Sequence, residues 1–133
     1  VLVGIRSLDT LHSLAPDLPR LAGISGHIGC NGYFVFVLTE GEDVLAHGRM
    51  FAPAIGIPED PVTGNANGPL GAYLVQHGLG APVGGVFSFR ARQGEALRRP
   101  GTVEVTVEVE GAAPSLVRVA GRAVIVFRTE LEL

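Results

Sequence analysis

The chain has 133 residues, enough for one compact domain that buries roughly two thirds of its unfolded surface. Hydrophobic residues make up 47% and charged residues 17%, a balance that excludes intrinsic disorder. The 13 acidic residues outnumber the 10 basic ones, and no basic run exceeds Arg98-Arg99. We therefore expect neither nucleic acid nor a membrane surface as a partner.

The residue types exclude several chemistries. All ten basic residues are arginine, which excludes a Schiff-base lysine, a pyridoxal-phosphate lysine and a Walker-type phosphate loop. Cys30 is the single cysteine, so no internal disulfide forms, and we expect a reducing, cytoplasmic environment. The four histidines lie far apart without an HExxH pair, so we expect no metal site. The uncharged stretches 21–39 and 61–89 hold too many polar and glycine residues to cross a bilayer.

The first 20 residues predict one strand and little helix. Residues 1–5 are apolar and indicate a strand. Ser7 is placed to cap a short helix, whose leucines share one face and which ends before Pro16. At Asp17 we expect at most a single further helical turn.

The remaining strands follow from aromatic, β-branched and alternating patterns. Segments 32–39 and 44–51 predict the two strands of a hairpin around the polar turn 40–43. Further strands are predicted over 86–92, over 102–110, where valine alternates with polar residues, and over 115–129, which is broken at Gly121 and gives one or two strands.

One substantial helix is predicted over residues 65–78. Leu70, Tyr73, Leu74 and His77 stand at i, i+3, i+4 and i+7, and the other face carries small residues instead of charges. We therefore expect a helix that is buried nearly all round, with His77 as a core histidine. The predicted class is α+β, with a mixed, mostly antiparallel sheet rolled around this central helix in a single domain, 1–133.

The segment before this helix carries the candidate chemistry. Glu59 and Asp60 lie on a proline- and glycine-restrained loop that leads into the helix start. Free N–H groups and the helix dipole favour an anion there. A carboxylate or a developing enolate could sit at Gly64, Asn65 and Ala66, with Asp60 beside it to carry a proton.

Ordinary turn chemistry is the alternative explanation. Asp60, Thr63 or Asn65 could simply cap the helix, and spacing alone favours this interpretation. Arg49 could orient Asp60 or Glu59, but an ordinary structural ion pair explains it equally well.

Three sequence blocks carry a resemblance to a known family. Residues 49–53 (RMFAP), 56–66 (GIPEDPVTGNA) and 93–101 (QGEALRRPG) resemble, in order and spacing, the C-terminal half of the PhzF-like phenazine biosynthesis isomerases. This family lies within the diaminopimelate epimerase superfamily. The resemblance implies two similar domains, each a mixed sheet around a helix, with the active site between them.

The resemblance also implies roles for individual residues. Asp60 matches the acidic residue that replaces a cysteine of the cofactor-independent racemase relatives. Gly64 and Asn65 match the helix-start pair that touches the substrate carboxylate, although the best-known phenazine enzymes have serine at the second position. Gln93 and Gly94 are further substrate-binding candidates because the third block includes them, but a turn at the end of a strand, followed by surface arginines, explains them almost as well.

The implied function is that of the C-terminal domain of an isomerase or epimerase that needs neither metal nor organic cofactor. The intact enzyme would move a proton on a small carboxylate-bearing metabolite, and the family makes a homodimer an expectation. The family's principal glutamate and its accompanying histidine lie in the N-terminal domain, so we expect this chain alone to be inactive. The alternative is a non-catalytic module that binds a small anion or a protein partner.

Overall fold

A computed structural model describes residues 1–40 and 44–131 of the chain. This part of the chain contains seven strands, three α-helices and one 3-10 turn. The strands are β1 (Leu2–Gly4), β2 (Tyr33–Leu38), β3 (Ala46–Ala52), β4 (Ile57–Asp60), β5 (Val86–Gln93), β6 (Gly101–Glu110) and β7 (Ala113–Gly121). The helices are α1 (Leu8–Ser13), α2 (Leu18–Ile28) and α3 (Gly64–Gln76), and the 3-10 turn is Pro53–Ile55.

The seven strands form one mixed sheet in the described part of the chain. Six of them follow the order β1-β2-β3-β5-β6-β7, and β4 pairs with β3 off this path. The β1–β2 and β3–β5 pairs are parallel, and the other pairs are antiparallel. The predicted α+β class with a mostly antiparallel sheet is confirmed.

Helix α3 packs against β5, β6 and β7, and the core lies between the helix and the sheet. Leu70 and Leu74 of the helix are fully buried and join a cluster that includes Phe34 of β2 and Val105 of β6. Gly71 faces the sheet so closely that a Cβ there would lie 2.8 Å from a Val105 methyl group. A glycine at this position therefore lets the helix approach the strands.

The predicted burial of α3 is wrong on one side. Tyr73 is 37% exposed, and His77, just after the helix, is exposed and packs its ring 4.3 Å from that of Tyr73. His77 is therefore not a core histidine. The rest of the predicted face, Leu70 and Leu74, is buried, together with small residues such as Gly71 that allow a close approach to the sheet.

Helix α2 is longer than the single turn that the sequence predicts. Asp17 Oδ1 accepts a hydrogen bond from Arg20 N at 3.0 Å and so caps the helix. Gly29 ends it with a φ of 67°. Ser25 on the buried side is hydrogen-bonded to the Tyr33 hydroxyl at 3.2 Å. Tertiary contacts of this kind offset the low helix propensity of the glycines within the segment.

The predicted hairpin is confirmed, and so is one strand in the C-terminal segment 115–129. Strands β2 and β3 pair from Tyr33 with Phe51 to Leu38 with Ala46, while residues 41–43 of the predicted turn lie outside the described residues. One strand, β7, forms in the segment 115–129, and residues 122–131 continue without strand pairing and are exposed. Among the described residues, no helix combines the length and apolar composition needed to span a membrane.

Candidate functional site

The two adjacent carboxylates of the candidate segment point in different directions. They lie on the short strand β4, not on the predicted loop, and Asp60 is paired with Met50 of β3. Side chains alternate along a strand, so Glu59 and Asp60 face opposite sides. Glu59 accepts hydrogen bonds from Arg49 Nε at 2.9 Å and Nη2 at 2.8 Å. Because both of these side chains are only 9% exposed, Glu59 serves a buried structural ion pair.

Asp60 is the carboxylate that remains open. It is half-buried, and its Oδ2 accepts a hydrogen bond from Thr63 Oγ1 at 2.5 Å. Within the described residues, no other donor is bonded to this side chain. Its second oxygen is therefore free to exchange a proton with a ligand.

The start of α3 lies at the surface beside Asp60. Thr63 occupies the N-cap position but makes no side-chain capping bond. Gly64 and Asn65 are exposed, and their N–H groups have no acceptor in the part of the chain that the structure describes. The Ala66 N–H reaches the Thr63 carbonyl at 3.3 Å. Two of the three predicted amides, Gly64 and Asn65, are thus open to an anion.

The side chain of Gln93, at the end of β5, is hydrogen-bonded to the segment that contains Asp60 and Thr63. It is 1% exposed, and its Nε2 donates to the Asp60 carbonyl at 2.7 Å and to Thr63 Oγ1 at 3.0 Å. Its Oε1 accepts from Thr63 N and from Asn67 Nδ2, both at 3.1 Å. Both donors and both lone pairs of the amide are occupied. Direct contact of Gln93 with a ligand stays a prediction, and it would require one of these bonds to break.

Gly94 lets the chain after β5 pack against the candidate segment. Its φ is +83°, in the left-handed region, and a Cβ would lie 2.7 Å from the Pro61 carbonyl oxygen and closer still to that of Arg99. Both neighbours are backbone atoms that cannot rotate away. Gly94 is therefore required by the fold of the site, and its predicted contact with a ligand stays untested.

We expect Gly94→Ala to lower the free energy of unfolding by at least about 2 kcal/mol, because positive-φ strain and a backbone clash act together. Urea denaturation of the purified chain measures this loss. Gly111→Ala is the matched control, since Gly111 has a φ of +64° but nothing within 4 Å of its Cβ position. An equal cost for the two substitutions would show that the clash at Pro61 is unimportant.

A second cluster joins the chain after β5 to two other elements. The Glu95 carboxylate lies 2.8 Å from His47 Nδ1 of β3, 3.5 Å from His12 Nε2 of α1 and 3.6 Å from Arg92 Nε. Burial would raise the pKa of Glu95, but the hydrogen bond and charge of His47, with smaller effects of His12 and Arg92, hold the pKa below its usual value. Sequence reasoning missed this cluster because isolated histidines carry no local signal.

An open groove of about 730 Å³ adjoins the candidate segment at Val62. Three arginines, Arg90, Arg92 and Arg122, line it together with the single carboxylate of Glu104.

The structure thus has a mixed sheet with the helix α3 packed against it, and Asp60 and the open amides lie at the start of this helix. Solved phenazine biosynthesis proteins contain an α+β domain of this kind. The family model of the phenazine biosynthesis-like proteins matches residues 1–129, so the chain belongs to this family. The resemblance carried by the three sequence blocks is confirmed.

The curated relatives are isomerases of about twice the length. An uncharacterized isomerase of Clostridium acetobutylicum is 56% identical over all of this chain, which spans 44% of that protein. The isomerase YddE of Escherichia coli is 47% identical over 98% of the chain and 43% of its own length. The trans-2,3-dihydro-3-hydroxyanthranilate isomerase of Pseudomonas fluorescens is 35% identical over 90% of the chain and 38% of its own length.

Solved structures share the fold. The PhzF-family phenazine biosynthesis protein of Bacillus anthracis matches 90% of this chain and 44% of its own chain, with a TM-score of 0.69 and 24% identity. A putative PhzC/PhzF protein of Clostridium difficile matches 99% of the chain and 44% of its own, with a TM-score of 0.67 and 18% identity. At these identities, the likeness shows the fold alone.

Proposed function

We propose that the chain is the C-terminal half of an isomerase or epimerase that moves a proton on a small carboxylate-bearing metabolite, without a metal or an organic cofactor. The proposal rests on two features at the start of α3. Asp60 has a free carboxylate oxygen, and the N–H groups of Gly64 and Asn65 are open.

Each part of this arrangement has a chemical task. The two N–H groups and the positive end of the α3 dipole bind the substrate carboxylate. When a proton leaves the neighbouring carbon, negative charge spreads onto the carboxylate oxygens, and the same amides stabilise it. Asp60 accepts or returns a proton at its free oxygen, while the Thr63 hydroxyl fixes the other oxygen.

A complete reaction needs a second acid/base group. Moving a proton from one face or carbon to another requires one group that removes it and one that delivers it. Glu59, the neighbouring carboxylate, is bound to Arg49 and unavailable for this task. The chain spans less than half the length of the relatives, so we propose that the remaining half supplies the partner group and that this chain alone has no turnover.

The decisive experiment restores the missing half. We would join the chain to the remainder of the Clostridium acetobutylicum relative, which is 56% identical to it, and incubate the product in D₂O with a panel of small carboxylic acids. Mass spectrometry should find deuterium at the carbon next to a carboxylate for the joined protein, and none for the chain alone.

Two outcomes would contradict the proposal. Turnover by the isolated chain, with its mass verified, would show that no second half is needed. Binding of carboxylic acids by a folded joined protein without any exchange would favour the alternative, a non-catalytic anion-binding module.

A further inference from the structure

Helix α3 differs from the other two helices at its first turn. In α1, Ser7 Oγ accepts a hydrogen bond from Thr10 N at 3.1 Å, and in α2, Asp17 caps the helix in the same way. Thr63 stands at the corresponding position of α3 with an extended backbone, φ −123° and ψ 102°, which suits a capping threonine. Its hydroxyl nevertheless makes no capping bond.

We propose that Gln93 is a positioning residue that keeps the Thr63 hydroxyl away from the helix start, so that the N–H group of Asn65 stays open for the substrate. This inference rests on the proposed function, because it gives a purpose to the open amides. It assigns Gln93 no contact with the substrate.

The hydrogen bonds around Thr63 show how this works. Thr63 Oγ1 accepts a hydrogen bond from Gln93 Nε2 at 3.0 Å and donates its own proton to Asp60 Oδ2 at 2.5 Å. Gln93 Oε1 holds the Thr63 N–H at 3.1 Å, so both the backbone and the hydroxyl of Thr63 are fixed by one amide. The hydroxyl is therefore directed towards Asp60 and away from the amides of the first turn.

Asn67 fixes the orientation of the Gln93 amide. It is fully buried, and its Nδ2 donates to Gln93 Oε1 at 3.1 Å and to the Thr63 carbonyl at 2.9 Å. With two N–H groups pointing at Oε1, the Gln93 amide cannot flip without placing donors against donors. Its Nε2 must then face Thr63 Oγ1 and the Asp60 carbonyl.

One buried side chain thus prepares both parts of the candidate site. It holds the hydroxyl that fixes Asp60, and it leaves the Asn65 amide uncapped for the substrate carboxylate. An N-cap hydroxyl can accept from the second or the third N–H of its helix, here Asn65 or Ala66. The Ala66 N–H already reaches the Thr63 carbonyl at 3.3 Å, so when Gln93 Nε2 is removed, we expect the Thr63 hydroxyl to rotate and to accept from the Asn65 N–H.

The test measures amide hydrogen exchange of the isolated chain by NMR, without any ligand. Gln93→Met retains the side-chain volume and removes the hydrogen bonds, and we expect exchange at Asn65 to slow roughly fivefold as the new cap forms. The double variant Gln93→Met with Thr63→Val should lose this protection, because no hydroxyl remains. Ser25→Ala, a buried polar substitution in α2, is the control and should leave Asn65 exchange unchanged.

A merely structural role of Gln93 predicts the opposite change in amide exchange at Asn65. If Gln93 only stabilises the fold, its loss loosens the first turn, and Asn65 exchanges as fast as in the parent chain or faster; that result overturns the proposal. Thr63→Val alone provides a second measurement if the Gln93→Met chain does not fold. It should leave Asn65 exchange unchanged, and faster exchange would show that the hydroxyl already caps the helix.

Activity measurements separate this inference from the proposed function. In the joined protein, Gln93→Met should raise the KM of a carboxylate substrate at least about tenfold, since one of its two binding amides is closed. An unchanged KM would overturn the link between Gln93 and substrate binding. If the joined protein has no isomerase activity, the proposed function fails, while the exchange measurements on the isolated chain still decide the role of Gln93 at the helix start.

Discussion

Replacing Arg49 with methionine is expected to lower the free energy of unfolding by about 3–5 kcal/mol, because the substitution leaves the Glu59 carboxylate buried without a partner. Two guanidinium nitrogens of Arg49 bind this carboxylate, and the third, Nη1, donates to the carbonyls of Leu11 at 3.0 Å and Leu14 at 2.8 Å. The variant therefore also frees carbonyl groups at the end of α1. Urea denaturation followed by circular dichroism measures the change.

Two further variants separate these effects. Arg118→Met removes an exposed ion pair with Glu108, and we expect it to cost less than about 1 kcal/mol. The double variant Arg49→Met with Glu59→Leu removes both buried charges and should recover a large part of the loss. If Arg49→Met costs no more than Arg118→Met, the Arg49–Glu59 pair does not stabilise the fold as its burial implies.

The elements that the sequence predicts well are those whose burial follows a simple period. Strand β6 alternates buried Val103, Val105 and Val107 with more exposed polar residues, and the structure has this strand where the alternation predicts it. Helix α3 is likewise confirmed within about two residues at each end. The predicted stripe is confirmed only in half: Leu70 and Leu74 are buried, whereas Tyr73 is exposed and small residues complete the contact with the sheet.

The orientation of side chains in the candidate site could not be predicted from the sequence. Glu59 and Asp60 are adjacent acids, and only the pairing of β4 with β3 decides which of them meets Arg49. The bond between Gln93 and Thr63 joins residues 30 positions apart, and that between His47 and Glu95 joins residues 48 apart. Contacts at such separations depend on the strand order, which the local pattern does not contain.

The surface position of the α3 start is the structural fact on which the proposed chemistry depends. Helix-start amides buried among apolar side chains could not receive a substrate, and an Asp60 surrounded by main-chain donors could not exchange a proton. Instead, Gly64 and Asn65 are exposed, and the described residues offer Asp60 a single hydroxyl donor. Capping by Thr63, the alternative that spacing alone favours, does not occur.

The largest effect on activity is expected from Asp60→Asn in the protein joined to its missing half. The amide has the shape of the carboxylate, and its oxygen can still accept the hydrogen bond of Thr63 Oγ1, so we expect the fold to persist. It cannot take up the substrate proton as a carboxylate does. We expect kcat to fall by about 10²–10⁴, the usual contribution of a positioned acid/base group, with a much smaller change in KM.

Steady-state kinetics measures kcat and KM, and deuterium exchange into the substrate follows the proton transfer itself. Glu110→Gln is the matched control: it makes the same acid-to-amide change at an exposed residue at the end of β6, and we expect kcat to stay within about twofold of the parent value. A rise in KM with an unchanged kcat would assign Asp60 to substrate binding. Retention of full kcat by Asp60→Asn would remove Asp60 from the proton-transfer step, because an amide side chain has no carboxylate to accept the proton at neutral pH.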